Sequence, residues 1–141
     1  MTVETVLRLR GARIISVGMD RSLQAAVALM REEDVDALVV IDRCATEGDS
    51  VLGLLTRQDV TDAVADHGMD AFALPVGRLI KGRLVMCDVA EELPELISAM
   101  RERSAQYALV MDREQAIGLI GASDILFFGQ DGKVPAEVRI H

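Results

Sequence analysis

The chain contains an internal repeat, in which residues near the start recur 70 positions later. Ten residues between positions 6 and 42 are identical to their counterparts at this offset. After a gap of five residues the match resumes at an offset of 65, pairing Gly53 with Gly118, Leu54 with Leu119 and Asp59 with Asp124. A unit that occurs twice predicts an internally pseudo-symmetric fold, with equivalent sites in its two copies.

Each copy contains the apolar stripe of an amphipathic helix, with spacing i, i+3, i+4, i+7. The stripe residues are Leu23, Ala26, Val27 and Met30 in the first copy and Leu93, Leu96, Ile97 and Met100 in the second. Ser22 is a suitable N-cap for the first helix, and Pro94 lies where the first turn of the second tolerates proline. We therefore expect these helices to pack their stripes, including both methionines, into a core.

The remaining elements follow from the apolar runs and polar breaks around each helix. Unbroken apolar runs at 37–41 and 107–111 predict strands that are covered on both faces. Polar turns at 42–50 and 112–115 lead into second strands at 51–55 and 116–120, and closing helices follow at 56–67 and 123–128. Short strands at 13–17 and 83–87 precede the main helices, each after a short helical turn. The order in each copy is β-α-β-β-α, an α/β fold.

The repeat also sets the expected domain boundaries. Residues 2–67 form repeat 1 with its N-terminal lead-in, and residues 83–128 form repeat 2. Residues 68–82 contain the glycines and proline of a linker and also serve as the lead-in of repeat 2. The tail at 129–141 has no periodic pattern, and we expect it to be mobile or bound to a partner.

Composition excludes several classes of protein. No apolar run reaches the roughly 18 residues of a membrane-spanning helix, and the N-terminus lacks the features of a signal peptide. We therefore expect a soluble cytoplasmic protein. The net charge of −8 and an aromatic content of 3% argue against nucleic-acid binding through phosphates or base stacking.

No set of residues predicts catalysis or a metal site. Cys44 and Cys87 occupy non-equivalent positions in the two copies, and His67 and His141 do not complete a ligand set, so we expect free thiols. No nucleophile with a neighbouring base is apparent. The sequence therefore predicts no catalytic residue, no metal and no catalytic cofactor.

The strongest local motif runs from Gly53 to Asp59, where a strand meets the closing helix. Thr56 at the helix start predicts free N–H groups and a positive helix end that suit a phosphate. Asp59, one turn later, can accept hydrogen bonds from the vicinal hydroxyls of a ribose. The alternative is a capping box, which stabilises many helices without binding anything. The second copy retains the aspartate as Asp124 but has Gly121 in place of the hydroxyl, and we infer that capping alone does not explain this retention.

These features together resemble a tandem pair of CBS domains, a Bateman module. The resemblance covers residues 2–128 and rests on the strings SLQAAVALMREEDV, ALVVID and VLGLLTRQDV within the repeat. It implies two pseudo-symmetric β-α-β-β-α CBS repeats packed as one module, and it is nearest to small stand-alone bacterial CBS-domain proteins. It also implies clefts between the repeats that bind adenosine ligands: AMP, ADP, ATP, NAD or S-adenosylmethionine.

The resemblance assigns residues to two such clefts. The first comprises Leu54, Thr56, Arg57, Asp59, Arg83, Leu84, Val85, Ala105, Gln106 and Tyr107. The second comprises Arg13, Ile14, Ile15, Val35, Asp36, Ala37, Leu119, Gly121 and Asp124. We expect the first to bind, because it retains hydroxyl and carboxylate and has Arg57, Lys81 and Arg83 nearby. We expect the second to be weak, empty or selective for a less charged ligand, because the hydroxyl is lost and Asp36 would repel a phosphate.

The leading functional prediction is a non-enzymatic regulatory module for energy sensing, in which an adenine nucleotide acts as regulatory ligand and changes the shape or partner affinity of the protein. We expect a homodimer formed through the stripe helices, with a further protein as downstream partner. A ligand-free structural or protein-interaction dimer is the alternative, and an enzyme is the third. The remaining basic residues, including Arg8 and Arg10, are interpreted as a solvated face, and Cys87 as a passive thiol.

Overall fold

The structure is a computed structural model that describes residues 1–11, 13–44, 48–81 and 84–128. It divides into two compact units. Among these residues, the N-repeat unit comprises those between 15 and 82, and the C-repeat unit combines those between 1 and 14 with those between 83 and 128. The first copy of the repeat thus lies in one unit, and the second copy lies in the other together with the N-terminal segment.

The elements follow the predicted order in both units. In chain order they are α1 (Val3–Arg10), β1 (Ser16–Gly18), α2 (Leu23–Glu33), β2 (Ala37–Cys44), β3 (Gly48–Thr56), α3 (Arg57–His67), the 3-10 turns Gly68–Ala73 and Val76–Arg78, β4 (Val85–Asp88), α4 (Leu93–Arg103), β5 (Tyr107–Asp112), β6 (Gln115–Gly121) and α5 (Ala122–Phe128). The β-α-β-β-α prediction is confirmed for each repeat.

Each unit contains a three-stranded sheet of the same topology, β1-β2-β3 or β4-β5-β6. The first strand pairs parallel with the second, and the second pairs antiparallel with the third. Both hairpins have an irregularity at equivalent positions, after Val40 and after Val110. The repeat in sequence is therefore a repeat in hydrogen bonding as well.

The strand bounds differ from the sequence prediction in both hairpins and at the start of the first strand of each repeat. The long polar segment 42–50 was predicted to be a turn, but β2 continues to Cys44 and β3 starts at Gly48, so most of the insertion lengthens the ladder. In the second hairpin the turn is confined to Arg113 and Glu114, both with positive φ, as two-residue hairpins require. Strands β1 and β4 begin at Ser16 and Val85, later than the predicted starts at 13 and 83, because these are the first residues that pair with the neighbouring strand.

The apolar stripes form the cores as predicted. Leu23, Met30, Leu93 and Met100 are at most 6% exposed, and each lies in the core of its own unit. The hydroxyl of Ser22 accepts a hydrogen bond from the backbone N–H of the third helical residue at 3.2 Å, which confirms the predicted cap. Pro94 lies in the first turn of α4, as predicted.

The two lead-in segments pack against the repeat that they do not precede. Helix α1 contacts β6 and α5 and buries Val3, Val6 and Leu7 in the C-repeat unit. A Cβ atom at Gly118 would collide with the side chain of Leu7, so the glycine leaves the space that this leucine occupies. In the N-repeat unit Val76 of the second lead-in, the counterpart of Val6, is fully buried. The repeat boundaries predicted from sequence therefore do not coincide with the boundaries of the compact units.

No helix within the described residues is long and apolar enough to cross a membrane.

Candidate functional site

In the N-repeat unit, the junction between β3 and α3 is held by a complete capping box. Thr56 is the N-cap residue of α3, and its hydroxyl oxygen accepts a hydrogen bond from the N–H of Asp59 at 3.2 Å. Oδ2 of Asp59 in turn accepts from the backbone N–H of Thr56 at 2.9 Å and from its hydroxyl at 3.0 Å. The two bonds to Oδ2 fix the carboxylate at the start of the helix, and the third completes the cap.

The C-repeat unit retains the carboxylate half of this arrangement. Oδ2 of Asp124 accepts from the backbone N–H of Gly121 at 2.7 Å, the bond equivalent to that between Asp59 and Thr56. Because this bond requires no hydroxyl at the N-cap position, it survives the change from threonine to glycine. Capping therefore does account for the retained aspartate, contrary to the inference from the sequence.

The N–H groups at the start of the closing helices are also largely engaged. Arg57 N donates to the carbonyl of Asp36 at 3.2 Å, and Ala122 N donates to the carbonyl of Gln106 at 2.8 Å. Together with the capping bonds of Thr56, this leaves fewer free donors at the start of α3 than the sequence predicted. A phosphate at this helix end would have to displace existing hydrogen bonds.

The structure places the predicted site residues on equivalent parts of the two units. Strand pairing sets Ala37 opposite Thr56 in the N-repeat unit and Tyr107 opposite Gly121 in the C-repeat unit. The first group is Ile15, Val35, Asp36, Ala37, Leu54, Thr56, Arg57 and Asp59, and the second is Arg13, Ile14, Leu84, Val85, Ala105, Gln106, Tyr107, Leu119, Gly121 and Asp124. Arg83 lies outside the described residues. The predicted combination of residues from both units remains a prediction.

Two of the cations assigned to phosphate binding are already paired. Nε of Arg57 lies 2.8 Å from Oδ1 of Asp36, with both side chains about two-thirds exposed at 70% and 68%. Nζ of Lys81 lies 2.9 Å from Oδ2 of Asp62. That hydrogen bond lowers the pKa of the Asp62 carboxyl and raises the pKa of Lys81. The charge of Asp36, predicted to repel a phosphate, is thus balanced within its own unit.

An arginine that the sequence assigned to the solvated surface lies at the Asp124 junction. Nε of Arg10 is 2.8 Å from Oδ2 of Asp124, and the two side chains are 28% and 19% exposed. Nη1 of Arg10 also donates to the carbonyl of Leu119, the residue two before Gly121 on β6. The interpretation of Arg10 as solvated was wrong. Its helical spacing of three from Leu7 and seven from Val3, both buried, was the signal that could have found it.

The thiol of Cys87 lies in the core of the C-repeat unit as a free cysteine. Burial, with smaller contributions from Glu91 and Asp88, raises its pKa to about 12. A thiol with so high a pKa is a poor nucleophile and a poor metal ligand at neutral pH, which supports the passive reading. Among the described residues, no group of three or more His, Cys, Asp or Glu side chains is arranged to hold a metal ion.

Comparison with known proteins points to one family. Residues 10–66 match the CBS domain. Hypoxic response protein 1 of Mycobacterium tuberculosis is 26% identical over 121 residues, which cover 86% of this chain and 82% of that protein. A CBS-domain-containing protein from Agrobacterium tumefaciens has a similar structure, with a TM-score of 0.76 and 25% identity, covering 89% of this chain and 90% of that one.

A more distant structural relative is the hexameric CBS-CP12 protein from bloom-forming cyanobacteria. It is 20% identical with a TM-score of 0.77, and the match covers 92% of this chain and 72% of that one. At this identity the likeness shows the fold alone. The matched first repeat, the identical strand topology of the second repeat and these relatives together show that the chain is similar to CBS-domain proteins and has the fold of a CBS-domain pair.

Proposed function

We propose that this protein is a non-enzymatic regulatory module that binds an adenosine-containing ligand through the Thr56/Asp59 junction. The observation that carries the proposal is the state of the Asp59 carboxylate. It is partly exposed, held in place by the capping box, and forms no ion pair with any described residue. An oriented carboxylate with spare acceptor capacity suits the two hydroxyls of a ribose.

The two oxygens of Asp59 have separate roles in this proposal. Oδ2 accepts both of the cap hydrogen bonds that the carboxylate makes. Oδ1 has no hydrogen-bond donor among the described residues, so it can accept from a ligand hydroxyl without loss of the cap. Because the carboxylate is already fixed, a ligand does not have to order it on binding. The capping box thus supports the binding function as well as the helix.

The match of residues 10–66 to the CBS domain supports the ligand class, because CBS domains commonly bind adenosine derivatives and are regulatory. The candidates are AMP, ADP, ATP, NAD and S-adenosylmethionine, with Leu54, Thr56, Arg57 and Asp59 as contacts from the N-repeat unit. The contacts proposed from the other unit are Arg83, Leu84, Val85, Ala105, Gln106 and Tyr107. Differential affinity of the ligand for two conformations would then regulate a protein partner.

Self-association is part of the proposal, and the structure changes which surface could provide it. The stripes of α2 and α4 face their own cores, so the outer faces of these helices would have to form a homodimer. On α2, the exposed residues Gln24 and Ala28 line a groove of about 580 Å³ together with Met69, which is 79% exposed. That this chain forms a homodimer remains a proposal.

A ligand-free structural or protein-interaction role is the second candidate. It is favoured by the capping box itself, because capping accounts for both Thr56 and Asp59 without any ligand. The two functions differ in one measurable respect. Only the first gives the native state extra stability when an adenosine compound is added.

Thermal unfolding with each of the five candidate compounds separates them. A ligand at 100 times its dissociation constant should add about 2.7 kcal/mol to the free energy of unfolding. Asp59→Asn keeps an oxygen for the cap but removes the charge, and it should abolish the shift. Asp70→Asn, the same change at an exposed aspartate in the 3-10 turn after α3, is the matched control and should keep it. If none of the compounds shifts the transition of the wild-type protein, the structural role is correct.

A further inference from the structure

We propose that Arg10 closes the Asp124 junction to adenosine ligands, so that the chain binds one ligand and not two. The guanidinium contacts the same groups that a ligand at this junction would use. Nε pairs with Oδ2 of Asp124 at 2.8 Å, and Nη1 donates to the carbonyl of Leu119. Arg10 thus joins the end of β6 to the first turn of α5.

Helix α1 determines the position of Arg10. Leu7, one turn before it, is 5% exposed and packs against Gly118 in the middle of β6. Val3, a further turn back on the same face, is fully buried. This packing directs the arginine along β6 toward the Asp124 junction. Arg8, two residues earlier, lies on the outer face instead, with a 76% exposed side chain paired to Glu4.

The pair with Asp124 is also better shielded than the other side-chain ion pairs described. Its members are 28% and 19% exposed, whereas Arg57 and Asp36 are 70% and 68% exposed. Charge-assisted hydrogen bonds are stronger than neutral ones, and shielding from water strengthens them further. Both contacts to this carboxylate are made to Oδ2, so what separates it from that of Asp59 is its charge: Arg10 already balances it, and a ribose hydroxyl at Oδ1 would gain less from the neutralised carboxylate.

The N-repeat unit shows the alternative arrangement. There the counterpart of Arg10 is Ile80, and the next residue of that lead-in segment, Lys81, pairs with Asp62 at 2.9 Å. Asp62 lies three residues beyond Asp59 on α3, so the cation is held one turn away from the junction carboxylate. The closed junction and the available one therefore differ in which aspartate the lead-in cation reaches. This inference rests on the proposed function, because it concerns the same ligand class.

Titration with AMP by isothermal calorimetry tests it. We expect a stoichiometry of one per chain for the wild type, removed by Asp59→Asn. Arg10→Met, which keeps an aliphatic side chain against α1 and β6, should open a second site and raise the stoichiometry to two. The second site should bind at least tenfold more tightly than any residual binding there in the wild type. Arg8→Met, with the same change of charge on the same helix, should remain at one.

Each other outcome has a defined meaning. Retention of one AMP per chain by Arg10→Met overturns the inference while leaving the proposed function intact. Loss of AMP binding in Arg10→Met, with Arg8→Met unaffected, also overturns it, because Arg10 would then be a ligand contact. If neither the wild type nor Arg10→Met binds AMP, both the inference and the proposed function fail for this nucleotide. Circular dichroism of Arg10→Met confirms that the variant is folded.

Discussion

The two units share a fold but differ at the junction where each closing helix begins. In the N-repeat unit the junction carboxylate of Asp59 accepts a hydrogen bond from the backbone N–H of Thr56, the N-cap residue, and has no ion pair with any described residue. In the C-repeat unit Asp124 makes the equivalent backbone bond and is also paired with Arg10. Duplication has therefore kept the structural role of the aspartate in both copies, while its availability to a ligand differs.

This comparison separates two reasons for keeping a residue. The bond from the helix-start N–H to the aspartate occurs in both units and stabilises the helix whatever the N-cap residue is. What distinguishes Asp59 is the location of the nearest lead-in cation, which pairs with Asp62 instead. Retention of an aspartate after duplication is thus evidence for a helix cap, and its surroundings determine whether it can also bind a ligand.

The largest expected effects are losses of stability in the two cores, where the two units should behave alike. Leu23 and Leu93 are equivalent positions in the repeat and are 0% and 2% exposed. Leu23→Ala and Leu93→Ala should each lower the free energy of unfolding by about 2–5 kcal/mol, since each leaves a cavity in a core. Urea denaturation measures both. A small loss in only one variant would show that the two cores are not equivalent.

The second prediction concerns alkaline pH, where the C-repeat unit should be the sensitive one. Cys87 has Val17 as its counterpart in the N-repeat unit. Its folded pKa of about 12 exceeds the ordinary value of 9.0, so between these values the unfolded chain releases a proton that the folded one retains. Stability should therefore fall above pH 9, by at most about 1.4 kcal/mol per pH unit from this group.

Cys87→Val, which places the N-repeat residue in the C-repeat core, tests this assignment. Denaturant unfolding at pH 8, 9.5 and 10.5 should show a shallower decline for the variant than for the wild type. Below pH 8 the two pH dependences should be the same, because the thiol is protonated in both states. Identical slopes across the alkaline range would contradict the raised pKa of the Cys87 thiol.

The third prediction compares the two arginine–aspartate pairs at the junctions. Arg10→Met should cost about 1–3 kcal/mol, because it removes charged hydrogen bonds that are partly shielded from water. Arg57→Met should cost less than about 0.5 kcal/mol, since exposed ion pairs contribute little. Thermal unfolding at low and high salt measures both. Equal costs for the two variants would mean that the pair with Asp124 is no stronger than a surface pair.

The smallest effect concerns the cap that only the N-repeat unit completes. Thr56→Ala removes the hydroxyl that accepts from Asp59 N and should cost about 1 kcal/mol. Thr61→Ala, on the exposed face of the same helix, is the control and should be close to neutral, because alanine favours the helix. If Thr61→Ala destabilised the protein as much as Thr56→Ala, the loss would not be due to the cap.

Much of the fold could be predicted because its signals are local in the sequence. The stripe of α2 and its Ser22 cap lie within nine residues, and the apolar run that forms β2 follows directly. The exchange of lead-in segments could not be predicted in this way. The spacing of Val3 and Leu7 indicates that α1 has a buried face, but it does not indicate which repeat covers that face.

The site was predicted less completely than the fold, because some of its contacts join residues that are far apart in the sequence. The motif from Gly53 to Asp59 is contiguous, so its position at a strand-to-helix junction followed from the sequence. Arg10 and Asp124 are far apart in the chain, and only the packing of α1 against β6 brings them together. The assignment of Arg57 and Lys81 to phosphate binding remains a prediction, and their pairs with Asp36 and Asp62 could be found only in the folded chain.

The central claim is that Asp59, and not Asp124, is the carboxylate that binds an adenosine ligand. The most direct test is AMP titration of Asp59→Asn and Asp124→Asn by isothermal calorimetry, side by side with the wild type. We predict that Asp59→Asn lowers the affinity at least tenfold, and that Asp124→Asn binds AMP like the wild type. Equal losses in both variants, or a loss in Asp124→Asn alone, would contradict the claim.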